Sequence, residues 1–535
     1  MNSIHYFFTL IFVMTSCMLQ AQVPVLVDDI HSSGGAYPQQ ITAASGGVYF
    51  IAHSVADGDE LYFSDGSESG TYKVKDIHPM TGSNPDELTW ATPFLYFSAN
   101  DNIYGTQLWK TDGTETGTYR LTDVGQDNNN APRDLCVLGD VLFFTLADDG
   151  FNQELWKIDI NTDALEQVKD INPNAGSNPQ NTTAFNGKVY FSADDGAHGR
   201  ELWSSDGTVA HTQLIKDIFP AGDADPENFC VSNGALFFSA KGTEGNELWK
   251  TDGTEAGTVM VKNIHAMGSS FPSQLTDVEG VLFFVATDGA SNTELWKSDG
   301  TPEGTVMVKN INPNMGANPT ELTNVNGTLY CSANDGTNGY ELWKSDGTAE
   351  GTVMIKNINQ QNTANSSPQN ITPYNNLAYF TATDGTHGSE LWVTDGTADN
   401  TNMVHDINPV GSGDPGDLTV SGADLFFRAN DGTSGHELWK LDLSVSTTTA
   451  LVNFGLEVFP NPANDMLYIQ SDDMSKGNYI LTLYNMLGKA LLVQNVEMFD
   501  NLFISLNINN LHNGNYFITI NNEKIQISTI QFSKQ

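Results

Sequence analysis

Short apolar segments separated by turn residues run along most of the chain. Segments such as Val141-Leu-Phe-Phe144 and Val281-Leu-Phe-Phe284 are apolar without alternation, which is typical of strands buried on both faces. No stretch of the sequence shows the 3.6-residue apolar period of an amphipathic helix. The pattern therefore predicts an all-β protein built from short strands.

A pair formed by Leu and an aromatic residue recurs at nearly constant spacing. Gaps between successive pairs are 47, 47, 47, 46, 47, 47, 49 and 47 residues. The pairs are Leu61-Tyr62, Leu108-Trp109, Leu155-Trp156, Leu202-Trp203, Leu248-Trp249, Leu295-Trp296, Leu342-Trp343, Leu391-Trp392 and Leu438-Trp439. A fixed period of this size indicates a repeat protein in which each unit packs against its neighbours.

One regular copy predicts four antiparallel strands, over residues 321–325, 328–333, 340–345 and 352–357. Asn326-Gly327 joins the first two strands as a hairpin, since both residues tolerate a positive φ. Asp-Gly turns join the others. Four antiparallel strands in a unit of about 40–50 residues are the pattern of a propeller blade. The recurrent Trp is then expected to fill the space between blades.

The two ends of the repeat region complement each other. Residues 25–30 resemble a fourth strand that has no strands before it, whereas Leu438-Trp439 is followed by no fourth strand. The N-terminal strand is therefore expected to complete the last blade and close the ring, which leaves no unpaired edge. Nine motifs predict nine blades over residues 22–442. Because propellers commonly have four to eight blades, eight blades with an accessory unit is the alternative.

The chain carries 65 acidic and 23 basic residues, for a net charge of −42. This balance argues against binding to nucleic acid or to anionic membranes, which both need basic surfaces. It suits a soluble secreted protein or one that binds cations. Three cysteines outside the leader, Cys136, Cys230 and Cys331, have neither disulfide nor zinc spacing and are predicted to be buried free thiols.

The first 21 residues predict a secretory signal peptide, with an apolar core at 6–13 and cleavage after Ala21. The core lacks the usual preceding basic residue, and a lipoprotein signal around Cys17 is the alternative. No later run approaches the ~18 apolar residues of a membrane helix. No transmembrane segment is therefore expected after cleavage.

Composition changes after the repeats. A polar linker is predicted over 443–452, and residues 453–535 show short alternating strands with Asn-Gly turns, which predict a small β-sandwich. Three ordered motifs follow, Phe459-Pro-Asn-Pro462, Leu483-Tyr-Asn-Met-Leu-Gly488 and Leu511-His-Asn-Gly-Asn-Tyr-Phe517. Together they resemble the type A C-terminal sorting domain of the type IX secretion system in Bacteroidetes.

This resemblance implies export by the type IX secretion machinery to the outer cell surface or the medium. The repeats over residues 25–442 also resemble the "ELWxxDGT" repeat family, through stretches such as Glu341-Leu-Trp-Lys-Ser-Asp-Gly-Thr348. That family is named for its motif, so the resemblance implies a secreted repeat protein and no particular activity.

In a blade, the loop between strands two and three shares a face with the loop that leads to the next blade. Both loops are rich in Asp, Asn and carbonyl groups, which suit calcium, and Asp335 and Glu341 are the candidate ligands. The alternative is that Asp and Asn cap the tight turns themselves. No EF-hand spacing is present, so a structural calcium ion is the one cofactor under consideration.

Two other recurrent residue types were weighed for chemistry. A Glu precedes eight of the nine Leu-aromatic pairs, with Gln107 before the other, in near-identical copies, whereas a catalytic acid pair needs two distinct environments. Pairing with a neighbouring Lys is the expected role. His31, His78 and His265 share one repeat position, and His198 and His387 share another, too far apart for a three-ligand metal site.

No nucleophile elbow or phosphate loop is present, and no catalytic or cofactor-binding residue is predicted. The best reading is a non-catalytic binding or adhesion propeller for carbohydrate or protein ligands. The alternatives are an extracellular polysaccharide-acting enzyme with a site in the propeller channel, and a structural surface-layer component. Any local site is expected where the copies differ, on the face opposite the Asp-Gly-Thr turns.

Overall fold

The computed structural model describes residues 23–79, 81–123, 131–147, 152–290, 292–361 and 364–444, and the segments 457–459, 465–471, 477–485, 490–498, 502–509, 511, 514–522 and 526–534. The chain divides into two compact units, Met1–Asp442 and Leu443–Gln535. The predicted signal peptide and most of the predicted linker lie outside the described residues.

The first unit is a ring of nine four-stranded antiparallel sheets, as the repeat count predicts. The strands of blades 1 to 5 are β2 (Gln39–Ala44), β3 (Gly47–Ser54), β4 (Gly58–Ser64) and β5 (Thr71–Lys73); β6 (Asp86–Ala91), β7 (Phe94–Asn100), β8 (Thr106–Thr111) and β9 (Tyr119–Arg120); β10 (Arg133–Leu138), β11 (Val141–Ala147), β12 (Gln153–Asp159) and β13 (Leu165–Lys169); β14 (Gln180–Phe185), β15 (Lys188–Asp194), β16 (Arg200–Ser205) and β17 (Gln213–Lys216); β18 (Glu227–Ser232), β19 (Ala235–Gly242), β20 (Gly245–Thr251) and β21 (Val259–Lys262).

The strands of blades 6 to 9 are β22 (Ser273–Val278), β23 (Val281–Thr287), β24 (Thr293–Ser298) and β25 (Val306–Lys309); β26 (Thr320–Val325), β27 (Thr328–Asn334), β28 (Tyr340–Ser345) and β29 (Val353–Lys356); β30 (Gln369–Tyr374), β31 (Leu377–Thr383), β32 (Ser389–Thr394) and β33 (Asn402–His405); and β34 (Gly416–Ser421), β35 (Asp424–Asn430) and β36 (His436–Asp442), completed by β1 (Val25–Asp28). Two short 3-10 turns, Glu68–Gly70 and Val209–His211, precede the fourth strands of blades 1 and 4.

The N-terminal strand closes the ring. β1 pairs antiparallel with β36, with Leu26 opposite Trp439, so the last sheet has the order β1-β36-β35-β34. The nine-blade prediction and the predicted ring closure are therefore confirmed. Closure leaves no blade with a missing strand, and the edge that the C-terminal strand would expose is covered.

First strands of neighbouring blades contact one another around the ring, which places them innermost. Because successive strands alternate in direction, the molecule has two distinct faces. The loop face carries the loops between strands two and three and the loops between blades. The turn face carries the hairpins between strands one and two and the Asp-Gly-Thr turns between strands three and four.

Packing between blades follows the predicted role of the repeated aromatic. Trp343 of blade 7 is buried against Phe283 and Leu295 of blade 6. At the closure, Phe426 of blade 9 packs in one cluster with Tyr62 of blade 1, the residue that takes the place of Trp. Each blade therefore buries its sheet against the next one, and Trp is a structural residue here.

The Asp-Gly-Thr motif folds the turn into the fourth strand. The carboxylate of Asp346 accepts hydrogen bonds from the backbone N–H and the hydroxyl of Thr348, at 2.8 and 2.7 Å. Gly351 closes the turn, because a Cβ there would lie 2.1 Å from Oδ1 of Asp346. Gly347 adopts a φ of 85°, which favours glycine. The motif is thus explained by turn geometry alone.

The second unit contains two antiparallel sheets. One has the order β37-β38-β41 and the other β40-β39-β42-β43. Their strands are β37 (Glu457–Phe459), β38 (Met466–Ser471), β39 (Gly477–Asn485), β40 (Ala490–Met498), β41 (Leu502–Asn507), β42 (Gly514–Asn522) and β43 (Gln526–Lys534). Alternate residues such as Leu467 and Ile469 are buried, as the alternating pattern predicts. The sandwich arrangement of the two sheets stays a prediction.

Candidate functional site

Buried glutamates shape the loop face. Glu154 is fully buried, and its carboxylate accepts hydrogen bonds from the backbone N–H groups of Ile171, Asn172 and Ser177, at 3.1, 3.3 and 3.0 Å. These three residues belong to the loop that leads to the next blade. The same position is fully buried at Glu60, Glu154, Glu201, Glu247, Glu294, Glu341, Glu390 and Glu437. The recurrent carboxylate therefore acts as an internal template for the inter-blade loop.

The expectation that these glutamates pair with Lys was wrong. The ammonium of Lys309 instead donates to the carbonyl oxygen of Thr352 in the next blade, at 2.7 Å. Lys169, Lys216, Lys262 and Lys356 make the equivalent bond to a Thr carbonyl. Lysines therefore fasten the outer edges of adjacent blades, while the glutamates satisfy backbone amides deeper inside.

The glutamates differ in one partner. Ser177 donates its hydroxyl to Glu154 at 2.5 Å, and Ser83 does the same to Glu60 at 2.6 Å. Ala224, Ala317, Gly413 and Ala36 occupy this position opposite Glu201, Glu294, Glu390 and Glu437. Burial raises the pKa of Glu294, and it raises the pKa of Glu201, Glu390 and Glu437 to about 7, because desolvation penalises the charged form.

A ring of strained polar residues lines the inner end of the loop face. The second residue of each innermost strand has a positive φ of 49–59° and sits at a register irregularity. The residues are Gln40, Glu87, Asp134, Asn181, Asn228, Gln274, Glu321, Asn370 and Asp417. Some of them cap the next blade: Glu321 accepts from the N–H of Asn370 at 2.8 Å, and Asp134 from that of Asn181 at 3.1 Å.

Sequence reasoning missed this ring because the segments read as ordinary strands. A signal is nonetheless present two residues further on, where most copies carry Thr. The hydroxyl of Thr323 donates to the carbonyl oxygen of Glu321 at 3.1 Å and so supports the bulge. Cys136 and Cys230 replace that Thr in blades 3 and 5 and are half-buried, whereas Cys331 is buried. All three are free thiols, and burial raises the pKa of each.

A cavity lies on the loop face where the ring closes. It measures about 320 Å³ and is lined by Tyr37, Gln39, Ile51, Ala52, His53 and Asp59. The N–H of Tyr37 donates to the carbonyl oxygen of His436 in blade 9, at 2.9 Å, and the N–H of His53 donates to that of Ala36, at 2.7 Å. The N-terminal segment thus joins blades 9 and 1. We call the cavity lined by the six residues above the seam cavity.

Aromatic rings and one histidine–aspartate contact surround the seam cavity. Nδ1 of His53 lies 2.7 Å from Oδ1 of Asp59. The His53 ring lies against that of His31, with centroids 5.6 Å apart, and the Tyr37 ring against that of His436, at 5.3 Å. Burial lowers the pKa of His436. The cavity therefore combines an aromatic side, a histidine–aspartate pair and an amide.

Tyr37 occupies a position that other blades give to small polar residues. A Pro comes just before each innermost strand. In eight blades the residue that precedes this Pro has a positive φ of 43–48°. Asn84, Asn178, Asp225, Asn318 and Asp414 hold this place in five blades, and Asn and Asp tolerate that conformation well. Tyr37 and Phe271 are the aromatic exceptions, and both are exposed, at 53% and 66%.

Large apolar side chains are concentrated on the loop face. Among described residues, those more than half exposed on this face are Tyr37, Val55, Ile103, Met267, Phe271, Met315 and Val410. On the turn face, Val209 and Val23, which precedes β1, are also more than half exposed. These side chains lie in loops of several blades around the ring, so the loop face carries more exposed apolar surface than the turn face.

The proposed calcium ligands have separate protein partners. Asp335 accepts hydrogen bonds from the N–H groups of Thr337 and Asn338, both at 2.8 Å, and thus caps its own turn. Glu341 is fully buried and accepts from the N–H of Ile358 at 2.8 Å. Among the described residues, no group of three or more His, Cys, Asp or Glu side chains is arranged to hold a metal ion. A calcium role for this pair stays a prediction.

Four of the five histidines at the two repeat positions act as turn caps, whereas Nδ1 of His31 is buried without a hydrogen-bond partner among the described residues. Nδ1 of His265 lies 2.9 Å from the carbonyl oxygen of Ser269, and that of His78 lies 2.9 Å from Gly82, where other copies use Asn. His198 and His387 pair with Asp195 and Asp384 of their own turns. His53, which occupies neither of these two positions, lines the seam cavity. It was not singled out from the sequence, because it belongs to neither recurrent position.

Comparison with known proteins identifies the C-terminal unit. Residues 457–532 match the family model described as the secretion system C-terminal sorting domain. The protein is thus a nine-bladed β-propeller that carries a type IX sorting domain. Such a domain directs its protein to the cell surface or the extracellular space. No curated protein matches the chain, and no helix in the described part has the length and apolar character to span a membrane.

Solved structures match the chain at low similarity. The chain is similar to a structure from a study of two prolyl endopeptidases (11% identity, TM-score 0.38, covering 74% of this chain and 55% of that one) and to puromycin hydrolase (12%, 0.36, 76% and 61%). The β-propeller domain of the trilobed protease from Pyrococcus furiosus is also similar (10%, 0.32, 60% and 97%). The chain spans about three fifths of the length of the first two.

Proposed function

We propose that the protein is a non-catalytic binding and adhesion propeller that presents its loop face to glycans or proteins outside the cell. The observation that carries the proposal is the concentration of exposed apolar side chains there, with Met267 at 96% and Met315 at 77% exposure. A net charge of −42 keeps the rest of the surface well solvated. Exposed apolar residues on such a protein are best explained by a partner.

The two faces differ in how much their repeated segments vary, and this difference supports the same proposal. On the turn face, repeated residues such as Asp346, Thr348 and Gly351 hold one another, and the copies are nearly uniform. On the loop face, the buried glutamates fix the backbone of each loop while its tip varies from blade to blade. A rigid scaffold with variable loops is the general arrangement of binding proteins.

Source and family form part of the proposal. The Glu341-Leu-Trp-Lys-Ser-Asp-Gly-Thr348 stretch and its copies support membership of the ELWxxDGT-repeat family. The type IX sorting domain supports an origin in Bacteroidetes. Adhesion at the outer surface agrees with a route of export that ends there.

An extracellular polysaccharide-acting enzyme is the second candidate. The pair formed by His53 and Asp59 favours it, because a histidine held by a carboxylate can act as a general base. A catalytic role would also need a second acid or a nucleophile within reach of the same cavity.

An array of glycans and extracellular-matrix proteins tests the proposal with the secreted full-length chain. We expect binding that the double variant Met267→Ser/Met315→Ser weakens and that the turn-face control Val209→Ser leaves unchanged. Absence of binding to every ligand would overturn the proposal. Cleavage of any polysaccharide on the array, detected as new reducing ends, would replace it with the enzyme alternative.

A further inference from the structure

We propose that the seam cavity binds one sugar unit of an extracellular glycan. This inference deepens the proposed function and rests on it, since it names the ligand class at one place on the loop face. The volume of about 320 Å³ lies at the lower end of the range for small-molecule sites, which is about 300–1,000 Å³. The cavity therefore suits a single ring rather than a peptide segment.

Tyr37 gives the first argument. Its φ of 48° is disfavoured for a large aromatic residue, and Asn or Asp at the same position in other blades avoids that cost. Folding does not require the ring, because those blades form without one. Tyr37 nevertheless stands 53% exposed, with its backbone fastened to His436. An exposed, fixed aromatic face is a platform for the apolar C–H face of a sugar.

The polar groups give the second argument. A sugar presents hydroxyl groups that both donate and accept hydrogen bonds, and it carries no charge. The cavity offers an amide at Gln39, a phenol at Tyr37, an imidazole at His53 and a carboxylate at Asp59, which together supply both roles. A cationic ligand would need an available carboxylate, whereas His53 already holds that of Asp59 at 2.7 Å.

The pair also arranges the cavity in advance. The contact between His53 and Asp59 fixes both side chains, and the ring of His31 lies against the other side of His53. Ile51 and Ala52 are buried in β3 and provide an apolar wall. A site whose groups are held in place loses little conformational entropy when a ligand binds.

Blade 6 supplies a natural comparison. Phe271 takes the place of Tyr37, with the same backbone conformation and similar exposure. Its neighbours at the positions of Gln39, His53 and Asp59 are Ser273, Thr287 and Thr293. Blade 6 thus has the aromatic ring without the histidine–aspartate pair. A comparison of the two blades therefore separates sugar binding by any exposed aromatic ring from sugar binding that needs the pair.

The test is a calorimetric and NMR titration of the full chain with glucose, galactose, mannose, fucose and N-acetylglucosamine. We expect at least one to bind, and Tyr37→Asn and His53→Asn each to weaken binding by about fivefold or more. Both changes introduce the residue found at the same position in other blades, so they preserve the fold. Phe271→Asn is the matched control and is expected to leave affinity unchanged.

Binding of none of these sugars, or binding that survives Tyr37→Asn, would overturn the inference. Binding of N-acetyl-lysine methylamide that weakens with salt would assign the cavity to a cationic ligand instead. If array ligands bind the unaltered chain while none of the sugars does, the inference fails and the proposed function stands. If neither sugars nor array ligands bind the unaltered chain, both fail.

Discussion

The carboxylate of Glu437 accepts a hydrogen bond from the backbone N–H of Ala36, at 2.9 Å, across 401 residues of sequence. The same carboxylate accepts from the N–H groups of Ile30 and His31, both at 3.2 Å. In the other blades the equivalent Glu holds a loop that follows it within 25 residues. Where the ring closes, Glu437 holds the N-terminal segment against the last blade. Its bond to Ala36 also positions the next residue, Tyr37.

The first prediction concerns this closure. Glu437→Ala leaves three backbone N–H groups without an acceptor, and it is expected to lower the free energy of unfolding by about 3 kcal/mol. Urea denaturation followed by tryptophan fluorescence measures the loss. Glu303→Ala, which removes an exposed turn-face glutamate, is the control. Equal effects of the two changes would contradict the role assigned to Glu437.

The second prediction concerns pH. The carboxyl groups of Glu201, Glu390 and Glu437 have a pKa of about 7 in the folded protein, against 4.5 for the ordinary value. Between these values the folded chain binds protons that the unfolded chain has released. Their contribution to stability is therefore complete below pH 4.5 and is lost as the pH rises through 7. The melting temperature is expected to fall from pH 5 to pH 8.

A matched pair of variants isolates the cause. Ala224→Ser places beside Glu201 the hydroxyl that Ser177 offers to Glu154. Because that hydroxyl stabilises the charged form, the decline in melting temperature between pH 5 and pH 8 should become shallower. Ser177→Ala should make it steeper. A pH profile that neither change alters would show that other groups govern the stability.

The third prediction concerns the Asp-Gly-Thr turn. Gly351→Ala directs a methyl group to within 2.1 Å of Oδ1 of Asp346, so the carboxylate must move and its hydrogen bonds to Thr348 are disturbed. A loss of about 2 kcal/mol is expected, and Asp346→Ala should cost about 1 kcal/mol through the lost caps. In the double variant the new methyl group has no carboxylate to clash with. Its loss of stability should therefore be smaller than the sum of the two single losses. Additive losses, measured by urea denaturation, would refute the proposed clash.

Much of the scaffold is predictable because its pattern repeats. For blade 7 the predicted strands 321–325, 328–333, 340–345 and 352–357 differ from Thr320–Val325, Thr328–Asn334, Tyr340–Ser345 and Val353–Lys356 by one residue at several ends. Apolar runs and turn residues are local signals, and nine copies reinforce them. Ring closure was predictable for a related reason, since the strand missing at one end appears at the other.

The partners of the buried glutamates were not predictable in the same way. Side-chain chemistry suggested Lys, whereas Glu154 binds backbone amides of Ile171 and Ser177, which every residue type carries. No sequence pattern distinguishes an amide that needs an acceptor from one that does not. The position of the lysine also depends on the next blade, as the bond from Lys309 to Thr352 demonstrates.

The seam cavity depends on contacts that only closure creates. Tyr37, His53 and Asp59 lie on a loop and two strands, and His436 approaches them from the far end of the propeller. The sequence does contain one clue, an aromatic residue before Pro where most copies carry Asn or Asp. The expectation that a local site lies where the copies differ stays a prediction, with the seam cavity as its most specific form.

Hydrogen–deuterium exchange of the full chain with a bound array ligand tests the central claim, that the repeats build a scaffold and the loop face binds. We predict slower exchange in loop-face segments such as 31–40, 263–272 and 310–319, with no change in the turn-face segments 299–305 and 346–352. Protection confined to the turn-face segments would contradict the account.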